Sequence, residues 1–134
     1  MANSLYPSAK QAFLSAGINL TSDTVKAVLV DTGAYTYSAA HANLSDVPAP
    51  ARIATSGALA SKTITNGVFD AADVTITGVT GTTVEAIVVY KDTGTASTSS
   101  LIAYIDSGTG LPYTPNGADV TISWDNGSSR ILAL

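Results

Sequence analysis

The chain contains no cysteine. Disulfides, thiolate metal centres and cysteine nucleophiles are therefore excluded. Charge is also scarce. Asp, Glu, Lys and Arg make up 12% of the 134 residues, about half the usual share. The six cations are scattered singly against a net charge of −4, and a phosphate backbone needs them clustered, so direct nucleic-acid binding is not expected. No apolar run approaches the ~18 residues that would suggest a membrane-spanning helix. The opening MANSLYPSAK has neither the basic flank nor the apolar stretch of a secretion signal. There is one histidine, His41, and one glutamate, Glu85. A Gly-x-Ser-x-Gly nucleophile elbow and an Asp-x-Asp-x-Asp-Gly calcium loop are both missing.

What remains is an apolar, β-rich sequence. Hydrophobic residues make up 46% of the chain, and the length fits a single domain over residues 1–134 with its own core. With so few charges, the surface must be polar mainly through Ser, Thr, Asn and Gly, which suits a protein that packs against neighbours. Residues 1–20 read as an N-terminal helix or arm. In YPSAKQAFLSA, Pro7 fits a first helical turn, Ala12, Phe13 and Ala16 can share a face, and Gly17 stops the helix in the left-handed conformation.

Strands are expected over 24–30, 52–60, 62–64, 72–79, 83–90, 101–105, 120–124 and 130–134, with a long connection over 33–52 that contains a helical turn near 39–44. Three Asn-Gly pairs, at 66–67, 116–117 and 126–127, mark turns, and the last sits where a tight hairpin would close. Short strands punctuated at this spacing indicate an all-β fold, an antiparallel β-sandwich with a jelly roll as one possible arrangement.

One motif raises a chemical question. VLVDTG, VVYKDTG and AYIDSG each end an apolar run in Asp-Thr/Ser-Gly, at Asp31, Asp92 and Asp106. Aspartic proteases use this tripeptide to present two carboxylates that share a proton. Here the apolar-apolar-Gly element that should cross behind each Asp has no good match; Thr75-Ile76-Thr77-Gly78 places Thr where an apolar residue belongs. Asp and Gly at a strand end also form turns unaided, and three copies fit that explanation better than a dyad. Other residues carry weaker signals. His41 lies alone in a loop. Asp46, Asp70, Asp73 and Asp119 could surround calcium or cap turns. Trp124 and the tyrosines could form a glycan platform, though in β domains such rings are more often core or interface anchors.

The segments MANSLYPSAKQAFLSAGI, KTITNGVFDAADVTITGV and EAIVVYKDTGTASTSSLIAYIDSGTGLPYTPNGADVTISWDNG resemble a family of small structural proteins of tailed-bacteriophage virions. The resemblance covers nearly the whole chain. It implies a non-enzymatic protein without catalytic residues, cofactor or metal, located in the virion and self-associating there. The expected role is a capsid decoration or cement protein binding the major capsid protein, with a tail, neck or fibre-adaptor role as the alternative. A host-glycan module and a small aspartic protease stand further off. Aromatic anchors dominate such interfaces, and Tyr6, Phe13, Tyr35 and Tyr37 are the candidate partner contacts.

Overall fold

The computed structural model describes residues 4–106, 110–124 and 131–133. The expected hairpin at 126–127 and the Ser-Gly that follows Asp106 lie outside them. The described elements are β1 (Ser4–Leu5), α1 (Pro7–Leu14), β2 (Val25–Val30), β3 (Arg52–Thr55), β4 (Thr63–Thr65), β5 (Val68–Asp70), β6 (Val74–Ile76), β7 (Ala86–Lys91), β8 (Leu101–Ile105), β9 (Val120–Ile122) and β10 (Leu132–Ala133), with 3-10 turns at Leu44–Asp46 and Ala49–Ala51. The described residues are thus mostly β with one short helix, and all strand pairs among them are antiparallel.

Three β-rich runs make the centre. VKAVLV, AIVVYK and LIAYI become β2, β7 and β8 of a five-stranded sheet ordered β1-β8-β7-β2-β3. Their buried residues do not alternate with exposed ones: Val28, Leu29 and Val30 are all buried, as are Val88, Val89 and Tyr90. Both faces of the sheet are therefore covered. Each such aliphatic side chain contributes about 1.5–3 kcal/mol on burial. Directly opposed residues share a face, so Val28, Val88 and Tyr104 lie in one row across β2, β7 and β8. Bulges at Leu29/Val30 and Val89/Tyr90 interrupt the ladders.

The remaining strands form two smaller sheets, ordered β10-β5-β4 and β6-β9. Asn66 and Gly67, with φ of 51° and 78°, close the β4–β5 hairpin as a two-residue turn with both central residues left-handed, the conformation that Asn-Gly favours. Phe69, Ile76, Ile122, Trp124 and Leu132 from these sheets join the same continuous apolar cluster as the central strands.

The N-terminal segment packs on its own sheet. β1 pairs with β8, and the Tyr6 N–H donates to Ile102 O at 3.0 Å. In α1, Pro7 occupies the first turn, Ala9 is buried, and Ala12 and Phe13 are half-buried. The expected stop at Gly17 is shifted by one residue. Ala16 takes the left-handed conformation, φ 62°, while the Gly17 N–H closes the helix onto Ala12 O at 2.7 Å. Ala16 thereby leaves the apolar face it was expected to share and is exposed. Strands β1 and β5 were not foreseen, and the expected strands over 52–60, 72–79 and 83–90 are shorter or begin later than their apolar runs suggested.

Candidate functional site

The long connection between β2 and β3 carries two of the candidate partner contacts, Tyr35 and Tyr37, and turns Tyr35, Leu44 and Val47 into the core. Tyr35 and Tyr37 meet Tyr104 of β8 and Tyr6 of the arm in one aromatic cluster. The Tyr6 and Tyr37 ring centroids are 5.0 Å apart, and Tyr37 meets Tyr104 edge-on at 5.2 Å. Tyr6 is 0% exposed and Tyr35 3%. In this structure neither ring has surface to offer a partner, and Tyr37 is half-buried beside them. Tyr6 and Tyr35, expected as partner contacts, are core residues of this chain; an alternating Tyr-x-Tyr in a loop gave no sign that the rings turn inward. Phe13 remains half-buried on α1, next to Leu14, which is 91% exposed.

The buried hydroxyls are paired. Tyr6 Oη and Tyr35 Oη are 2.8 Å apart, and Tyr35 Oη lies 2.9 Å from His41 Nδ1. Burial pushes the Tyr6 hydroxyl far above the ordinary phenol range, and its hydrogen bond to Tyr35 adds to the shift. The Tyr35 hydroxyl is pushed up too, mainly by burial. Ser8 Oγ donates to the His41 carbonyl at 3.3 Å. His41 is thus the far end of a hydrogen-bond chain that reaches the N-terminal arm, a role that a lone loop histidine does not announce.

On the edge of this cluster a cleft of about 350 Å³ is lined by Thr32, Glu85, Tyr104, Asp106, Leu111 and Pro112. The Tyr104 hydroxyl is held above its usual range, first by burial and then by the Asp106 charge. Asp31 stands next to this cleft but faces its own turn. Its Oδ1 accepts the Gly33 N–H at 2.8 Å and its Oδ2 accepts Thr82 Oγ1 at 2.8 Å. These two bonds, Thr82 first, hold its carboxyl below the usual range, with a smaller contribution from Glu85. Asp92 repeats the arrangement, accepting the Gly94 N–H at 3.0 Å, with Gly94 at φ 87°. Two of the three Asp-Thr/Ser-Gly copies therefore act as side-chain-closed turns at strand ends; the third extends beyond the described residues.

Asp46, Asp73 and Asp119 cap backbone at separate places. Asp46 Oδ2 accepts the N–H groups of Ala42 and Asn43 at 2.9 and 3.1 Å. Asp73 Oδ1 accepts the Trp124 N–H at 3.1 Å, and Asp119 Oδ1 accepts that of Gly78 at 3.0 Å. Among the described residues no group of three His, Asp or Glu side chains is arranged to hold a metal ion. Trp124 is 8% exposed and its Nε1–H donates to Ala72 O at 3.1 Å, so its ring offers no glycan platform. Among the described residues no helix is long and apolar enough to cross a membrane. No protein-family model matches the chain, and no curated protein matches it.

Proposed function

We propose that this protein is a non-enzymatic structural component of a bacteriophage virion, a capsid decoration or cement protein that binds the major capsid lattice. The observation that carries the reading is how little free charge the surface retains. Lys26 pairs with Asp92 at 3.0 Å and Lys91 with Asp23 at 3.2 Å. Lys62 Nζ donates to Asp23 O, and Arg52 Nε donates to Val47 O at 2.9 Å. With 12% charged residues and these four cations engaged within the chain, the surface is polar mainly through hydroxyls and amides. Such a surface suits lasting contact with neighbours more than free solution. The resemblance of the three long segments to virion proteins points the same way.

In this reading the two smaller sheets and the five-stranded sheet form the layers of a β-sandwich, their apolar residues sharing one core. The half-buried Phe13 and exposed Leu14 at the end of α1 are the apolar contact offered to a capsid subunit. Weak contacts of this kind become strong when many copies bind a repeating lattice. Locating the protein in a density map of the intact particle tests the proposal. Roughly one copy per major-capsid subunit is the expected outcome, following the symmetry of the shell. A single ring of copies at the tail or neck would move the protein to that part of the virion, and absence from the particle would overturn the reading.

A further inference from the structure

We propose that His41 is a proton-operated latch on the N-terminal arm. The arm is held to the sheet by a short ladder, Ser4 and Leu5 opposite Tyr104 and Ala103, and by the Tyr6 N–H on Ile102 O. The largest side chain it buries is Tyr6. Among the described residues the Tyr6 hydroxyl has one hydrogen-bond partner, Tyr35 Oη, and Tyr35 Oη in turn reaches His41 Nδ1. With the imidazole neutral and its proton on Nε2, the chain closes in one sense: Tyr6 donates to Tyr35, and Tyr35 donates to Nδ1. Every hydroxyl hydrogen then has an acceptor.

A second proton on the ring changes the count. Nδ1 becomes a donor and can only give its hydrogen to Tyr35 Oη. If Tyr35 then turns its hydrogen to Tyr6, the Tyr6 hydrogen is left in a fully buried position with no acceptor. If Tyr6 keeps donating, the Tyr35 hydrogen is the one stranded. Either way the charged ring leaves one buried O–H unpaired while the arm is closed, and lifting Tyr6 into water removes the penalty.

The groups that stand against His41 are Tyr35 of the same loop, Ser8 of α1 at the His41 carbonyl, and Asp46. The Asp46 carboxylate is itself tied to the N–H groups of Ala42 and Asn43. The arm is therefore closed while the imidazole is neutral and loosens when acid puts a second proton on the ring.

Amide hydrogen exchange on the full chain at pH 7.5 and pH 5.0, corrected for intrinsic rates, tests this. The amides of Leu5, Tyr6 and residues 9–14 should lose about tenfold in protection at the lower pH, the scale of one unpaired buried hydroxyl. Those of Val88 and Val89 should not change. His41→Gln supplies a carbonyl acceptor that does not titrate, and should keep the arm closed at both pH values. Tyr35→Phe cuts the chain and should leave the arm loose at both. Equal arm protection in the natural chain at the two pH values would overturn the latch, as would a pH response that survives in either variant.

Discussion

The five-stranded sheet and the two small sheets solve the same problem under different constraints. In β2, β7 and β8 nearly every residue is buried, whichever way it points. In β4 all three residues are exposed, and in β6 and β9 a half-buried Val and a buried Ile flank an exposed Thr. The central strands need apolar residues on both faces, so they are written mainly in Val, Ile, Leu, Ala and Tyr. The small sheets need them on one face only, and they rely on cross-strand pairs such as Thr75 Oγ1 with Thr121 Oγ1 at 2.9 Å and on turn chemistry to hold register. Stability should therefore concentrate in side chains for the centre and in a few anchors and turns for the periphery.

Phe69 is the sharpest way to break that contrast. It belongs to β5, yet it is 1% exposed and part of the central cluster. Phe69→Ala should cost about 3–5 kcal/mol, as for a fully buried aromatic, measured by denaturant unfolding. If the small sheets are one cooperative unit with the centre, protection of the β7 amides falls by the same amount. Protection lost only at 63–70 would mean that the periphery opens separately.

The polar part of the core comes next. Tyr35→Phe leaves the Tyr6 hydroxyl buried without its acceptor, and should cost about 1–3 kcal/mol in global or arm stability. Tyr6→Phe combined with Tyr35→Phe should cost less than the sum of the single changes, because the second removes the group the first one stranded. Additive costs would show that the hydroxyls do not act as a pair.

In the periphery, the Asn66 backbone is left-handed at φ 51°. Asn66→Ala should cost about 1 kcal/mol, since alanine lacks the side chain that eases this conformation. A smaller shift is expected for any exposed position on β4 outside the turn.

Acid should act on turns and surface pairs before it acts on the centre. The carboxyls of Asp23, Asp46 and Asp92 are held below their ordinary value of 3.8, chiefly by backbone N–H groups at Asp23 and Asp46 and by Lys26 at Asp92. A carboxyl lowered by folding stabilises the folded state above its unfolded value, and that contribution is lost as the pH falls through the folded value. These groups should leave the unfolding midpoint flat from pH 8 to 5 and lower it below about pH 4. Asp46 is exposed and Asp23 and Asp92 are partly exposed, so the decline should be shallow and should weaken with added salt for the Lys26–Asp92 pair.

The contrast between centre and periphery also sets what could be read from the sequence. Runs such as LIAYI declare themselves, and β8 spans the residues its apolar run covers. Asn-Gly at 66–67 declares a turn because few other pairs tolerate two left-handed residues. β5 did not declare itself, because VFD is short and its partner β10 lies far along the chain. The inward fold of 33–47 was also hidden. Loops ordinarily run on the surface, and the groups that draw Tyr35 and Tyr37 inward, Tyr6 and Tyr104, lie at remote positions that no local pattern connects. The register of β8, which puts Tyr104 on the row of Val28 and Val88, is what brings them together.

The three Asp-Thr/Ser-Gly segments show where local chemistry can be read but its purpose cannot. The smallest expected effect falls here. In Asp31→Asn the side-chain carbonyl still accepts the Gly33 N–H, so the turn survives; the amide nitrogen can no longer accept from Thr82, whose hydroxyl is exposed and turns to water. The denaturation midpoint should stay within the reproducibility of the measurement at pH 7. Asp31→Ala removes both acceptors, exposes the Gly33 N–H and should shift the midpoint measurably downward. A carboxylate kept for acid–base chemistry would give the opposite pattern. Asn and Ala would then be equally inert in that chemistry, and a peptide-cleavage assay under acid conditions would separate either of them from the natural chain. Turn formation predicts that Asn behaves like Asp and that only Ala differs.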